Sequence, residues 1–251
     1  SRRQRQMCIR DRLHLDENRK GQVLINLHVD RPLENWEYPA LGYLLGQKLG
    51  ARIGVVDGMK GSPASEDLKN FCGAAAAAGS VALMHIVGVT PEAPDTETAF
   101  GGNKPEEIIE VTEEDIRNTR KAMCSNTTDK VDFVALGCPH YTINEIVKVH
   151  KLLAGRKINP DTAFWIYANS YALRLAEKMG IRQDLEKLGV VIRAETCMII
   201  SPVKDWGFKT MMTDSGKCSY YGPAECGTEM IFASVEECVE SAVSGKLEIL
   251  K

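Results

Sequence analysis

Two cysteines are set apart by what flanks them. Cys138 lies in Gly137-Cys138-Pro139-His140, and Cys197 follows Glu195-Thr196. A thiolate can serve as a metal ligand, a nucleophile or a redox group. A histidine two residues on can move a proton or fix a ligand. The same residue types also occur as small buried side chains and structural imidazoles. A third stretch, Thr213-Asp214-Ser215-Gly216-Lys217, brings hydroxyls, backbone N–H groups and an ammonium to one turn. Such a turn can hold a carboxylate or phosphate, and it equally suits a solvated surface. It lacks the two spaced glycines of a nucleotide-binding phosphate loop. Asn169, in Tyr167-Ala168-Asn169-Ser170, is placed to contact a ligand or to cap a helix.

The elements that would position these groups can be read from periodicity. Residues 131–136 are a short apolar run of the kind that makes a buried strand. Thr142, with Glu145 three residues later, has the spacing of a capping box. Cys138 is therefore expected in a tight strand-to-helix loop. Residues 189–193 form a second apolar run ahead of Cys197. Open α/β sheets bind ligands beyond the carboxyl ends of their strands, so the two thiols can converge in one crevice.

The remainder alternates in the same way. Strands are predicted over 22–29, 52–56, 81–87, 107–111, 163–167, 208–212 and 229–233, and helices over 34–49, 65–78, from 112, over 170–179 and from 234 to about 245. Strands alternating with helices imply a mostly parallel sheet with helices on both faces. The turn-rich loop over 88–103 is long for a compact domain and sets the expected boundary. Residues 13–100 would form a first α/β portion, incomplete on its amino-terminal side. Residues 101–251 would form a second, carrying both cysteine loops.

A net charge of −3 and a pI near 6.0 leave no basic footprint for nucleic acid. No apolar run approaches the roughly 18 residues of a membrane span. A chain of 251 residues can bury a core without disulfide staples. With no secretory signal in the sequence, the eight cysteines are expected to be reduced thiols or metal ligands in the cytoplasm. Cys72, Cys124 and Cys238 fall in helical patterns and read as packing. Cys218 and Cys226 flank Tyr220-Tyr221-Gly222-Pro223 and read as ordinary thiols, with redox or metal roles as the alternatives. His14, Asp16 and Glu17 suggest a ligand run but suit a solvated segment. No Ser-His-Asp order, His-Glu-x-x-His or Gly-x-Gly-x-x-Gly pattern occurs.

Residues 1–12 do not fit the rest: they are Arg-rich, without periodicity, and resemble a translated sequencing adapter. On that expectation they are foreign, and the protein's own amino-terminal side is truncated. A basic tail for acidic partners is the other reading.

Six motifs in register carry a family resemblance. They are Leu13-His14-Leu15-Asp16-Glu17-Asn18-Arg19, Ala40-Leu41-Gly42-Tyr43-Leu44-Leu45-Gly46, Gly88-Val89-Thr90-Pro91-Glu92-Ala93, Gly137-Cys138-Pro139-His140, Glu195-Thr196-Cys197 and Thr213-Asp214-Ser215-Gly216-Lys217. From about residue 13 onward the chain resembles aconitase X, the large-subunit family of cis-3-hydroxy-L-proline dehydratase and mevalonate-5-phosphate dehydratase. The resemblance implies an aconitase-like, three-layer α/β/α fold with mostly parallel sheets. It implies an iron–sulfur cluster on three cysteines, of which Cys138 and Cys197 are two. The third belongs to a Cys-Thr-Pro-type motif in an amino-terminal half that this sequence lacks, so the fragment alone is expected to be inactive.

The implied reaction is hydro-lyase chemistry, in which a cluster iron acts as Lewis acid on a departing hydroxyl. Asn169, Ser215 and Lys217 are the candidates for holding the substrate anion. His140 and Lys217 are the candidate catalytic groups, with His140 orienting the leaving group. The base is expected from a serine on a swivelling domain, here a separate small subunit. The favoured substrate is the small hydroxy acid cis-3-hydroxy-L-proline, with mevalonate 5-phosphate second. A non-catalytic scaffold of the same fold, and a thiol redox protein using Cys218 and Cys226, are the other readings.

Overall fold

The structure is a computed structural model and describes residues 13–249. The stretch expected to be foreign, residues 1–12, lies outside the described residues. From residue 23 the chain alternates strands with helices. β1 (Val23–His28), α1 (Glu37–Leu49), β2 (Gly54–Asp57), α2 (Ser65–Gly79), β3 (Met84–Ile86), α3 (Thr96–Phe100), β4 (Glu107–Thr112) and α4 (Glu113–Ala122) form the first unit. Its sheet has the order β3-β2-β1-β4, parallel throughout.

The second unit contains β5 (Phe133–Tyr141), α5 (Ile143–Leu153), β6 (Ala163–Ala168), α6 (Ser170–Lys178), α7 (Ile181–Lys187), β7 (Val190–Ala194), β8 (Thr210–Thr213), α8 (Gly216–Glu225), β9 (Glu229–Phe232) and α9 (Val235–Ser244). Its sheet runs β7-β6-β5-β8-β9, again parallel. Two parallel sheets with flanking helices are the α/β architecture expected from the alternation.

The expected boundary near residue 100 does not coincide with the change of sheet. β4, assigned from sequence to the second portion, pairs with β1 along its whole length. The sheets change over between Ala122 and Phe133. The long loop at 88–103 instead crosses the first unit and carries α3. Loop length marked the boundary from sequence, whereas hydrogen-bond partners between distant strands set it.

β5 is buried on both faces, which is why its sequence is apolar without alternation. Val134 and Leu136 enter one core cluster, while Phe133, Ala135 and Cys138 enter another on the opposite face. The alanine run at 74–78 has a packing reason. A Cβ at Gly42 would lie 2.2 Å from Phe71 O, and one at Gly79 would lie 1.7 Å from Gly46 O. The α1–α2 seam is therefore closed by hydrogen and methyl groups, and larger side chains would force the helices apart.

The two units are packed on each other beside the cysteine loops. Lys69 of α2 donates to His140 O at 3.0 Å and pairs with Glu145 at 2.5 Å. A Cβ on Gly73 would be 3.0 Å from Pro139, and one on Gly216 would be 2.8 Å from Ala74. Phe232 of β9 completes the first unit's core.

Candidate active site

Gly137-Cys138-Pro139-His140 is not the loop expected from sequence. It is the distal part of β5, displaced from β6: the register holds to Leu136, slips, and resumes at Tyr141 opposite Ala168. Gly137 makes the slip possible. Its φ is +98°, and a Cβ there would lie 2.0 Å from Tyr167 O. After the slip the chain turns Cys138, His140 and Cys197 into one pocket of about 520 Å³, which Lys217 also lines.

Cys138 is buried, and burial pushes its thiol up to about 11, with the Lys217 ammonium pulling the other way and Cys197 adding to the rise. Cys197 follows β7 through Glu195, whose φ is +56°. Its carbonyl accepts from the Ser201 hydroxyl at 2.8 Å and the Ser201 amide at 3.1 Å, which fixes the turn after it. His140 connects the two cysteine segments, its Nε2 lying 2.7 Å from Thr196 O. A carbonyl accepts only, so Nε2 is the donor in this contact and Nδ1 is the nitrogen left for a ligand.

The candidate anion-binding residues separate. Lys217 lines the pocket with no hydrogen bond or ion pair among the described residues. Ser215 does not line it, contrary to its expected role in holding substrate. Ser215 is buried; its hydroxyl donates to Cys138 O and accepts from Cys218 N, capping α8. Both functions of the hydroxyl are satisfied within the protein, so Ser215 positions Cys138 instead of meeting a ligand. Asn169 is also outside the pocket lining. It is exposed and caps α6, accepting from Ala172 N at 2.7 Å.

Replacing Ser215 with alanine removes a helix cap and leaves the buried Cys138 carbonyl without a donor. A loss of roughly 2–4 kcal/mol is expected. Chemical denaturation checks it, and an unchanged midpoint refutes the anchoring role.

Sequence reasoning missed α8 and therefore Tyr221 and Glu225, which line the pocket from the same helix face as Lys217. Their spacing of four is the signal that would have found them, once residues 216–225 are read as helix. Ile199 and Ile200 supply an apolar wall.

Cys218 and Cys226 are fully buried, and the Cys226 thiol donates to Met198 O at 3.5 Å. Neither can meet an external disulfide, which removes the thiol redox reading. The buried Tyr167 hydroxyl lies near Cys197, Cys218 and Cys226, with Ser201 as its neighbouring hydroxyl.

Behind the pocket, Tyr141 donates to Asp214 beside a second cavity of about 170 Å³. Burial raises the Asp214 carboxyl from the ordinary 3.8 to about 6, the Tyr141 hydrogen bond opposing and Glu145 adding to the rise. The folded state thus holds this proton where the unfolded chain has released it. The stability penalty grows between about pH 4 and 6 and is complete above that, at most about 3 kcal/mol. Asp214→Asn keeps an acceptor for Tyr141, so it should raise the melting temperature more near pH 7.5 than near pH 4.5. An equal gain at both would show that the carboxylate is not penalised.

Comparison with known proteins fits this arrangement. Family models describe residues 21–121 as the aconitase X second domain and residues 131–244 as the aconitase X third domain. The chain belongs to the aconitase X family. Cis-3-hydroxy-L-proline dehydratase from Pseudomonas aeruginosa is 35% identical over 236 residues, covering 93% of this chain and 41% of the relative. Phosphomevalonate dehydratase large subunit from Methanocaldococcus jannaschii is 34% identical over 233 residues, covering 90% and 56%. The crystal structure of holo-form aconitase X from Thermococcus kodakaraensis superposes with a TM-score of 0.81 at 30% identity, covering 92% of this chain and 57% of that one. The chain thus spans about half the length of the aconitase X relatives it matches. The family domain limits, like the sheets, divide the chain between residues 121 and 131.

Whether this aconitase X chain suits an iron–sulfur cluster can be judged from its donors. Cys138 and Cys197 face one pocket, and the Tyr167 phenol is buried near Cys197. Among the described residues no group of three or more His, Cys, Asp or Glu is placed to hold a metal ion. The donor set thus fits two thiolates of a three-thiolate site.

Proposed function

We propose that this chain is part of the large subunit of an iron–sulfur hydro-lyase that dehydrates cis-3-hydroxy-L-proline towards a pyrroline carboxylate. The observation that carries the reading is the meeting of Cys138, Cys197 and the unpaired Lys217 in one pocket. Cys138 and Cys197 would hold the cluster, with a third thiolate supplied from outside the described residues. Once bound, such a cluster offers an iron with an open position as a Lewis acid for the leaving hydroxyl.

The chain's own groups have separate tasks. Lys217 binds the substrate carboxylate as a point charge with three donors. His140 holds the Cys197 segment against the Cys138 segment through Thr196 O, which leaves Nδ1 as the ring nitrogen that would orient the leaving group. Ile199 and Ile200 give one wall an apolar surface. Proton removal is assigned to a serine of a separate small subunit. This reading is supported by the relatives named as large subunits. The assembly is proposed to work in the cytoplasm; no described helix is long and apolar enough to cross a membrane.

Mevalonate 5-phosphate is the second reading, because phosphomevalonate dehydratase large subunits match over nearly the same residues and Lys217 suits a phosphate as well. Turnover of both compounds by the full-length protein with its small subunit decides between them. Loss of neither compound would remove both readings.

A further inference from the structure

α8 carries opposite charges at the two ends of one face. Lys217, Tyr221 and Glu225 recur every fourth residue, and all three line the pocket that holds Cys138 and Cys197. Eight residues of helix separate the Lys217 and Glu225 Cα atoms by about 12 Å. Neither side chain makes a hydrogen bond or ion pair among the described residues. Both charges are therefore open to a ligand, unlike those of Arg31 with Glu37, Lys69 with Glu145 and Arg156 with Glu240, which neutralise each other within the fold. Lys217 is half-buried and stands two residues after Ser215, whose hydroxyl donates to Cys138 O, so it lies on the cysteine side. Glu225 is exposed, at the other end of the stripe.

We propose that Glu225 reads the cationic amine of an amino-acid substrate whose carboxylate is held by Lys217, and so selects a zwitterionic hydroxy acid over a phosphorylated one. The proposal rests on the dehydratase reading above and names what decides its substrate. The physics is a difference of affinities. An ammonium gains a charge-assisted hydrogen bond to Glu225, whereas mevalonate 5-phosphate has an anion at each end, so whichever end Lys217 holds, the other brings a like charge towards Glu225 with no compensating donor. Between them, Tyr221 offers an aromatic surface to the apolar ring carbons of a cyclic amino acid.

The test uses the full-length protein with its small subunit, in wild-type, Glu225→Gln and Glu225→Lys forms. In Glu225→Gln the KM for cis-3-hydroxy-L-proline should rise roughly ten- to a hundred-fold while kcat falls less than about three-fold. Glu225→Lys should bind mevalonate 5-phosphate more tightly than wild type does. Calorimetry supplies a readout independent of turnover. L-proline should bind wild type at least about ten-fold more tightly than tetrahydrofuran-2-carboxylate, which has a ring oxygen in place of the amine, and Glu225→Gln should bind the two alike.

Wild type with no preference between these ligands, or a Glu225→Gln form that keeps the wild-type preference, overturns the proposal. Wild type that prefers L-proline but leaves cis-3-hydroxy-L-proline intact supports Glu225 as the amine reader and sinks the dehydratase reading alone.

Discussion

Cys197→Ser in the full-length protein with its small subunit is expected to lower activity by at least about a thousand-fold and to abolish the visible absorbance of bound iron and sulfide. A serine alkoxide is a poor replacement for thiolate at an iron–sulfur cluster, because the hydroxyl stays protonated at neutral pH and is a harder donor. The substitution also separates chemistry from folding. Cys197 is half-buried, and its turn is held by backbone and Ser201 contacts that the sulfur does not make. The melting temperature of the metal-free protein should therefore move by no more than about 2 °C. Cys72→Ser, at an exposed thiol on α2, should leave iron content and turnover at wild-type levels. Full iron loading and full activity in Cys197→Ser would refute the placement of the cluster.

The second large effect is expected at Gly137, where two independent penalties add. A non-glycine residue at φ +98° is strained whatever surrounds it. The new Cβ would also lie 2.0 Å from Tyr167 O, a backbone atom of the neighbouring strand that no rotamer change can move. Gly137→Ala should lose roughly 3–5 kcal/mol, or about 10 °C in melting temperature. Gly155→Ala is the control. Gly155 has φ +80°, and a Cβ there would meet nothing within 4 Å, so it carries only the backbone penalty. It should lose about 1 kcal/mol. Similar losses in the two variants would mean that the close approach of β5 to Tyr167 does not exist. The same shift should loosen Cys138, so iron binding in Gly137→Ala should weaken even where the protein remains folded.

Several features were legible because they are local. The capping boxes of Thr142 with Glu145 and of Ser234 with Glu237 depend on residues three apart, and both are formed. The apolar runs before Cys138 and Cys197 announced buried strands, and neighbouring parallel strands necessarily bring their carboxyl ends to the same edge. α8 was not legible. Its sequence, Gly216-Lys217-Cys218-Ser219-Tyr220-Tyr221-Gly222-Pro223-Ala224-Glu225, has two glycines, a proline and no apolar period. It is helical because Gly216 fits against Pro39 and Ala74, Gly222 fits against Met230, and Ser215 caps its start.

By itself, then, the sequence determined the alternating α/β architecture and the family, because periodicity, capping and motif chemistry act over a few residues. Only the tertiary structure decided that Ser215 faces inward to anchor Cys138, that Asn169 is spent on a helix cap, that β4 joins the first sheet, and that Glu225 shares a pocket with Lys217. Those outcomes depend on contacts between segments far apart in the chain, where burial and hydrogen-bond satisfaction choose among orientations that local pattern leaves equal.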